Sequence, residues 1–338
     1  MNFQQLRYVR AAVQNNLNLT EVANLLYTSQ SGVSKQIKEL EAELRMDIFV
    51  RRGKRLVGLT KAGESVVRVI ENLLTEADNL KRLSQQFTQA DQGRLVIATT
   101  HNQASYILPR ALLRFSKMFP DVTVELRQGT PEYVVETLLN GSAEIGVATE
   151  AVDKHPDLLT HSCLTWNHVV IVPDGHPLTT LSNPSLADVA RYPIITYNPE
   201  FSGRPQIDRA FDDAGLEPDI RLTAMDADVI KTYVRCGMGI GIVAEMSIAS
   251  QRGSLRALEG SSAFFQPSTT KVAMLKGSLL RNYTYHLIEM LAPHLDAQVL
   301  SGQRRHSASA RPTEILPFRE RPDLQIKFPD SVSEFEIA

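Results

Sequence analysis

Cysteine is scarce in this sequence, with only Cys163 and Cys236 among 338 residues. They stand far apart with no histidine clusters beside them, so neither a disulfide framework nor a zinc site has support, and two buried thiols in a reducing compartment are expected. Long apolar runs are also missing, and the opening MNFQQLRYVRAAVQNN lacks the apolar stretch of an export signal. The expectation is a cytoplasmic chain without a membrane partner. There is no nucleophile elbow, phosphate loop, paired-histidine zinc motif or kinase signature, and the eight histidines are scattered. No enzyme and no cofactor is therefore expected. Gly237, Gly239 and Gly241 follow a predicted helix and precede a strand, the reverse of a dinucleotide-binding turn, and no nucleotide site is read there.

What remains is typical of globular protein: 43% hydrophobic and 22% charged residues, in a chain long enough for two or three cores. The net charge of −2 hides a local asymmetry. Between Ser29 and Lys61 the basic Lys35, Lys38, Arg45, Arg51, Arg52, Lys54, Arg55 and Lys61 outnumber Glu39, Glu41, Glu43 and Asp47, the footprint of a nucleic-acid partner.

The same region reads as three short helices and a hairpin. Asn2 with Gln5 forms a capping box before the stripe Leu6, Val9 and Val13. Thr20 is placed as the cap of a second helix burying Val22, Ala23 and Leu26, and Tyr27 and Thr28 make the turn. Ser29 caps a third helix whose apolar Val33, Ile37, Leu40 and Leu44 recur at helical spacing. Its other face carries Gln30, Ser34, Lys35 and Lys38, side-chain types that reach base edges and phosphates from the major groove. In the hairpin IFVRRGKRLVGLT, Arg51, Arg52, Lys54 and Arg55 are placed to neutralise backbone charge. Thr60 then caps a long helix in which Val66, Leu73, Leu80 and Phe87 recur every seven residues, a seam suited to a partner helix.

Residues 88–93 read as a polar hinge. Beyond it, strands and helices alternate to about residue 297, which predicts two α/β lobes with mostly parallel sheets and a ligand beyond the carboxyl ends of the strands. Thr99 and Thr100 end one strand, so their hydroxyls, the Gln103 amide and nearby N–H groups are expected to converge on an anion. His101, beside them, is read as making one structural hydrogen bond. Residues 298–338, rich in charge, proline and serine, read as a mobile tail.

The segments LTEVANLLYTSQSGVSKQIKELEAEL and DIFVRRGKRLVGLTKAGE resemble the winged helix-turn-helix of the LysR-type transcriptional regulators. Ser31 stands where that family commonly has proline, and Arg45 where it commonly has glycine. The resemblance implies base contacts from Gln30, Ser34 and Lys35, with Ser31 and Thr60 nearer the backbone. The organisation it implies is a winged helix-turn-helix over 1–60, a linker helix and hinge over 61–93, and a two-lobed effector domain over 94–297, like that of periplasmic binding proteins. The implied partners are promoter DNA, RNA polymerase, a small effector and further copies in a homodimer or homotetramer.

Further segments, DADVIKTYVRCGMGIGIVA above all, resemble the subgroup that activates cysteine biosynthesis and sulfur assimilation. There the effector site corresponds to Thr100, Asn102, Gln103, Thr149, Trp166 and Ser202, and the implied effector is an acetylserine-type inducer, sulfate or thiosulfate. Asn102 and Ser202 replace threonines of that pattern. Control of sulfonate or taurine use is the neighbouring alternative. A two-lobed solute-binding protein is the rival of another class, which the DNA-reading module argues against.

Overall fold

A computed structural model describes residues 1–53, 55–88, 91–201, 203–248, 254–295 and 315–325, with the side chains of 85–88 excepted. The chain divides into two compact units, Met1–Thr88 with Gly277–Leu279 and the remainder.

The first unit begins with α1 (Phe3–Gln14), α2 (Leu19–Leu25) and α3 (Gln30–Leu44). The capping box closes on α1: Gln5 N–H donates to Asn2 Oδ1 at 2.9 Å and Asn2 N–H to Gln5 Oε1 at 3.0 Å. The cap of α2 is Asn18 rather than Thr20, because α2 starts one residue before Thr20 and the Asn18 side chain accepts from Thr20 and Glu21 N–H. Val9, Val22, Val33, Ile37 and Leu40 are fully buried where the three helices meet. Strands β1 (Phe49–Arg52) and β2 (Arg55–Leu59) form the hairpin, followed by α4 (Lys61–Thr88). A Cβ at Gly63 would lie 2.0 Å from the Ile48 carbonyl, so the start of α4 approaches the base of the hairpin closely enough to require glycine.

The heptad seam of α4 divides. Ile70 is buried in this unit's own core with Val67 and Leu74, and Val66 packs beside them. Leu73 and Leu80 remain 42% and 69% exposed, while the side chain of Phe87 lies outside the described residues.

The second unit holds two lobes, each with a five-stranded sheet. In lobe I, β3 (Gly93–Thr99), β4 (Val122–Gln128), β5 (Ile145–Ala148), β6 (Leu158–Trp166) and β12 (Ser268–Leu275) lie in the order β4-β3-β5-β12-β6. In lobe II, β7 (His168–Pro173), β8 (Ile194–Tyr197), β9 (Ile220–Ala224), β10 (Ile240–Ala244) and β11 (Leu255–Ala257) lie in the order β11-β7-β10-β8-β9. Both sheets are mixed rather than mostly parallel: β12 runs antiparallel to β5 and β6, and β7 antiparallel to β10 and β11. The cause is connectivity, since β6 leaves lobe I as β7 enters lobe II and β12 brings the chain back. At this crossing Asn167 N–H donates to Glu245 Oε1 and Glu245 N–H to Asn167 O, each at 2.9 Å.

Helices α5 (Leu108–Met118) and α10 (Asn282–Leu291) cover one face of the lobe I sheet, and α6 (Pro131–Leu139) the other. In lobe II the covering helices are α7 (Leu186–Val189), α8 (Arg204–Asp213) and α9 (Ala227–Arg235).

Two expectations are corrected here. Cys163 is buried but Cys236 is exposed, because the latter caps the solvent end of α9. Part of the tail read as mobile is packed. Phe318 and Leu324 enter the lobe I core, and Arg321, 5% exposed, donates to the carbonyls of Met290 and Leu291 at 3.0 Å each. Those carbonyls belong to the open end of α10, so the guanidinium satisfies acceptors the helix leaves unpaired.

Candidate functional site

On α3, the Ser29 hydroxyl accepts from Gly32 N–H at 3.1 Å and fixes the first turn. With Val33, Ile37 and Leu40 buried, Gln30, Ser31, Lys35 and Lys38 stand exposed on the opposite side and Ser34 is half-buried. Lys35 lies 3.8 Å from Glu39, a solvent-exposed pair too weak to keep the ammonium from a phosphate. Across the hairpin Arg52 pairs in register with Arg55, and both side chains are exposed. Lys54 lies outside the described residues.

Two residues near the hairpin are already engaged. Glu41 of α3 is 6% exposed; its Oε1 accepts from Ile48 and Phe49 N–H at 2.9 and 3.0 Å, and its Oε2 lies 2.6 Å from Arg51. Arg51 therefore ties the hairpin to α3, and the basic charge the hairpin offers a backbone comes from Arg52 and Arg55. Thr60 is corrected likewise: its hydroxyl donates to Asp47 O at 2.7 Å and accepts from Gly63 N–H at 2.8 Å, and its N–H donates to Ile48 O at 3.0 Å. With both protons committed, it has none left for a phosphate.

The second set of expected residues meets in a cleft between the lobes that encloses about 370 Å³ of space not filled by atoms, counting its open mouth. Thr100, Asn102 and Gln103 come from the end of β3 and the π-helical turn Gln103–Ile107, Thr149 from the end of β5, and Trp166 from the crossing. Wide helical turns of this type recur at functional sites. Ser202 lies outside the described residues. Thr99 is corrected: its hydroxyl donates to Val147 O at 2.7 Å within the sheet, and it does not line the cleft.

Within the cleft, Trp166 Nε1–H donates to Thr270 Oγ1 at 3.2 Å, and Thr270 donates to Gln103 Oε1 at 2.9 Å. Indole can only donate, so the relay runs in one direction. It holds the Gln103 oxygen and leaves Nε2 buried without a protein partner. Asn102 Nδ2 donates to the Tyr197 hydroxyl at 3.1 Å, and its Oδ1 is also buried and unpartnered. His168 has both ring nitrogens in that state, and burial pushes its pKa down to about 3, so it stays neutral. None of the described residues lining the cleft is lysine or arginine. Apart from His101, which lines the cleft and whose pKa is raised by Asp228, the donors on offer to an anion are neutral.

At the edge of the cleft lining, His101 Nε2 lies 3.7 Å from Asp228 of lobe II. Asp228 also accepts from Tyr106 at 3.0 Å and faces the fully buried Lys231 at 2.8 Å. The contact with His101 leads the effects holding the Asp228 carboxyl well below the usual range, and Asp228 raises the His101 pKa in return. His101, Asp226 and Asp228 have the donor types of a metal site, but the Lys231 ammonium already occupies Asp228. The group is an ionic contact between the lobes, adjacent to the turn carrying Asn102 and Gln103. Sequence reading missed the roles of Glu41, His168, Tyr197 and Thr270; only folding brings them to these places.

Comparison with known proteins places both regions. The family model described as bacterial regulatory helix-turn-helix protein, lysR family, matches residues 3–64, and the LysR substrate binding domain model matches residues 88–296. The HTH-type transcriptional regulator SsuR of Burkholderia cenocepacia is 54% identical over 91% of this chain and 100% of its own length. CysB of the same organism is 44% identical over 92% of this chain and 99% of its own length. Among solved structures, the cofactor-binding domain of the Cbl transcriptional regulator superposes with a TM-score of 0.60 at 40% identity, covering 64% of this chain and 95% of that domain.

Proposed function

The chain belongs to the LysR family of bacterial regulatory helix-turn-helix proteins, regulators rather than enzymes, and we propose that it controls sulfur-assimilation and cysteine-biosynthesis genes in answer to a small anionic effector. The observation that carries the reading is the buried Gln103 amide, oriented by a one-way relay so that its N–H₂ has no protein acceptor. A buried donor left unmade costs about 1–3 kcal/mol, a cost that an anion in the cleft removes. Thr100, Asn102, Gln103, Thr149, Trp166 and Ser202 form the effector site in this reading, with an acetylserine-type compound or a sulfur oxyanion as ligand. The resemblance of residues 226–244 to the sulfur-assimilation activator supports the choice of sulfur chemistry.

Gln30, Ser34 and Lys35 read bases, while Ser31, Lys38, Arg52, Lys54 and Arg55 hold the backbone. The exposed Leu73 and Leu80 supply a contact between copies in a dimer or tetramer, RNA polymerase is the further partner, and the whole works in the cytoplasm.

The test is transcript profiling of a deletion strain grown on sulfate, cystine or taurine, with mobility shifts of the purified protein on the promoters that change. Loss of cysteine-biosynthesis transcripts on sulfate supports the reading; a defect confined to taurine assigns sulfonate use instead. Promoter binding with no sulfur-dependent change in any transcript contradicts both.

A further inference from the structure

Lys231 of α9 is wholly buried, and three acceptors face the three protons of its ammonium: Asp228 Oδ1 at 2.8 Å, Ser247 O at 3.0 Å and the Tyr106 hydroxyl at 3.3 Å. Asp228 belongs to α9 itself and Ser247 follows β10, whereas Tyr106 comes from lobe I. The Tyr106 hydroxyl donates in turn to Asp228 Oδ2 at 3.0 Å, and its ring packs against the apolar cores of both lobes. A single phenol thus joins the lobes, and a buried ammonium that loses one of its acceptors is left under-satisfied.

Tyr106 also lies inside the π-helical turn, three residues after Gln103. That turn is closed by Leu108 N–H donating to Gln103 O, one residue wider than α-helical spacing. Leu108, Ala111 and Phe115 are fully buried and fix α5 in the lobe I core. Because α5 is fixed, a slip of the turn to ordinary spacing would swing Asn102 and Gln103 by about 100° around the helix axis, away from the places from which they line the cleft. The bond from Tyr106 to lobe II opposes that slip by pinning the turn from outside.

We propose that Tyr106 is a positioning residue of the effector site: anchored to Asp228 and Lys231 across the lobes, it keeps the turn wide and holds the Gln103 amide toward the cleft. This rests on the effector-cleft reading and adds to it a residue outside the cleft lining.

Tyr106→Phe in the full-length protein tests it, removing the hydroxyl while keeping the ring in both cores. Calorimetry compares wild type, Tyr106→Phe, Gln103→Ala and the double variant, with inorganic sulfate and N-acetyl-L-serine as probes and the tighter of the two for wild type as the reference. Each single variant loses about tenfold, the scale of one hydrogen bond to a charged group. The double variant loses no more than about threefold beyond Gln103→Ala, because Tyr106 acts through that amide; a tyrosine with a merely structural role gives losses that multiply to about a hundredfold. Hydrogen exchange without ligand reads the turn itself: the Leu108 amide exchanges at least about tenfold faster in Tyr106→Phe, while the Phe115 amide of α5 keeps its rate. Asp228→Asn weakens the anchor from lobe II, speeds Leu108 exchange by a smaller factor, and serves if Tyr106→Phe does not fold. Unchanged affinity in Tyr106→Phe, multiplied losses in the double variant, or wild-type protection of Leu108 in both variants overturns the proposal. Wild type that binds neither probe, or Gln103→Ala that binds both as wild type does, overturns the effector-cleft reading and the proposal with it.

Discussion

Replacing Glu41 by alanine removes the acceptor of two backbone hydrogen bonds and an ion pair in the first unit. Ile48 and Phe49 are 0% and 2% exposed, so water does not reach their N–H groups when the carboxylate is gone. Each orphaned donor costs about 1–3 kcal/mol. The Arg51 side chain is 22% exposed and recovers part of its hydration, so it adds less. The sum is about 3–5 kcal/mol, the range for breaking a buried ionic contact by removing one partner. Glu41→Gln keeps the oxygen that accepts from both N–H groups and loses the ion pair with Arg51, at about 1–2 kcal/mol. Native-state hydrogen exchange at the Ile48 and Phe49 amides reads this locally: exchange in Glu41→Ala rises by about a hundredfold or more, with a smaller rise in Glu41→Gln. Promoter affinity falls alongside because the hairpin loses its tie to α3. Protection at both amides within about threefold of wild type would refute the account.

Two further outcomes follow from backbone and charge. Arg45, at the end of α3, has φ of 51°, a left-handed conformation that costs a residue with a Cβ about 1–2 kcal/mol; Arg45→Gly should raise the stability of the first unit by up to about 1 kcal/mol in denaturant unfolding, since glycine gives back some of this gain in unfolded-state entropy. Neutral, buried His168 binds no proton until about pH 3, whereas the unfolded chain takes one near 6.5, so stability falls as pH drops from 6.5 toward 3; His168→Leu should flatten that part of the melting profile, and an unchanged slope would count against burial as its cause.

Much of this architecture is legible in the chain because it is local. The Asn2 box, the Ser29 cap and the apolar spacing of α3 are each set within a few residues, and all three appear as read. What escaped reading is set by distant partners. Glu41 lies in the charged run KELEAEL, and only the packing of residues 48–51 against α3 buries it. The strand β6 carries a polar centre, THS, which hides its alternation and is covered in part by the tail, where Leu316 O accepts from Thr165 N–H at 3.2 Å. That tail has two apolar anchors, Phe318 and Leu324, too few to give a period. In the cleft, threonines and an amide at strand ends pointed to an anion, but His168 stands at a strand start whose spacing gives it no role, and the Thr270 relay spans 167 residues to Gln103.

The central claim is that a ligand held at the end of β3 alters promoter binding, and effector titration of wild type and Thr100→Ala, with promoter affinity followed in parallel, tests it most directly. A ligand shifts a regulator only through its differential affinity for two states, so the variant should bind DNA as wild type does without effector and respond only at higher effector concentration. Loss of one hydroxyl donor to a charged group corresponds to about 1.5–3 kcal/mol, or roughly ten- to a hundredfold in effector affinity. Wild type and Thr100→Ala responding to the same effector at the same concentration would contradict the account.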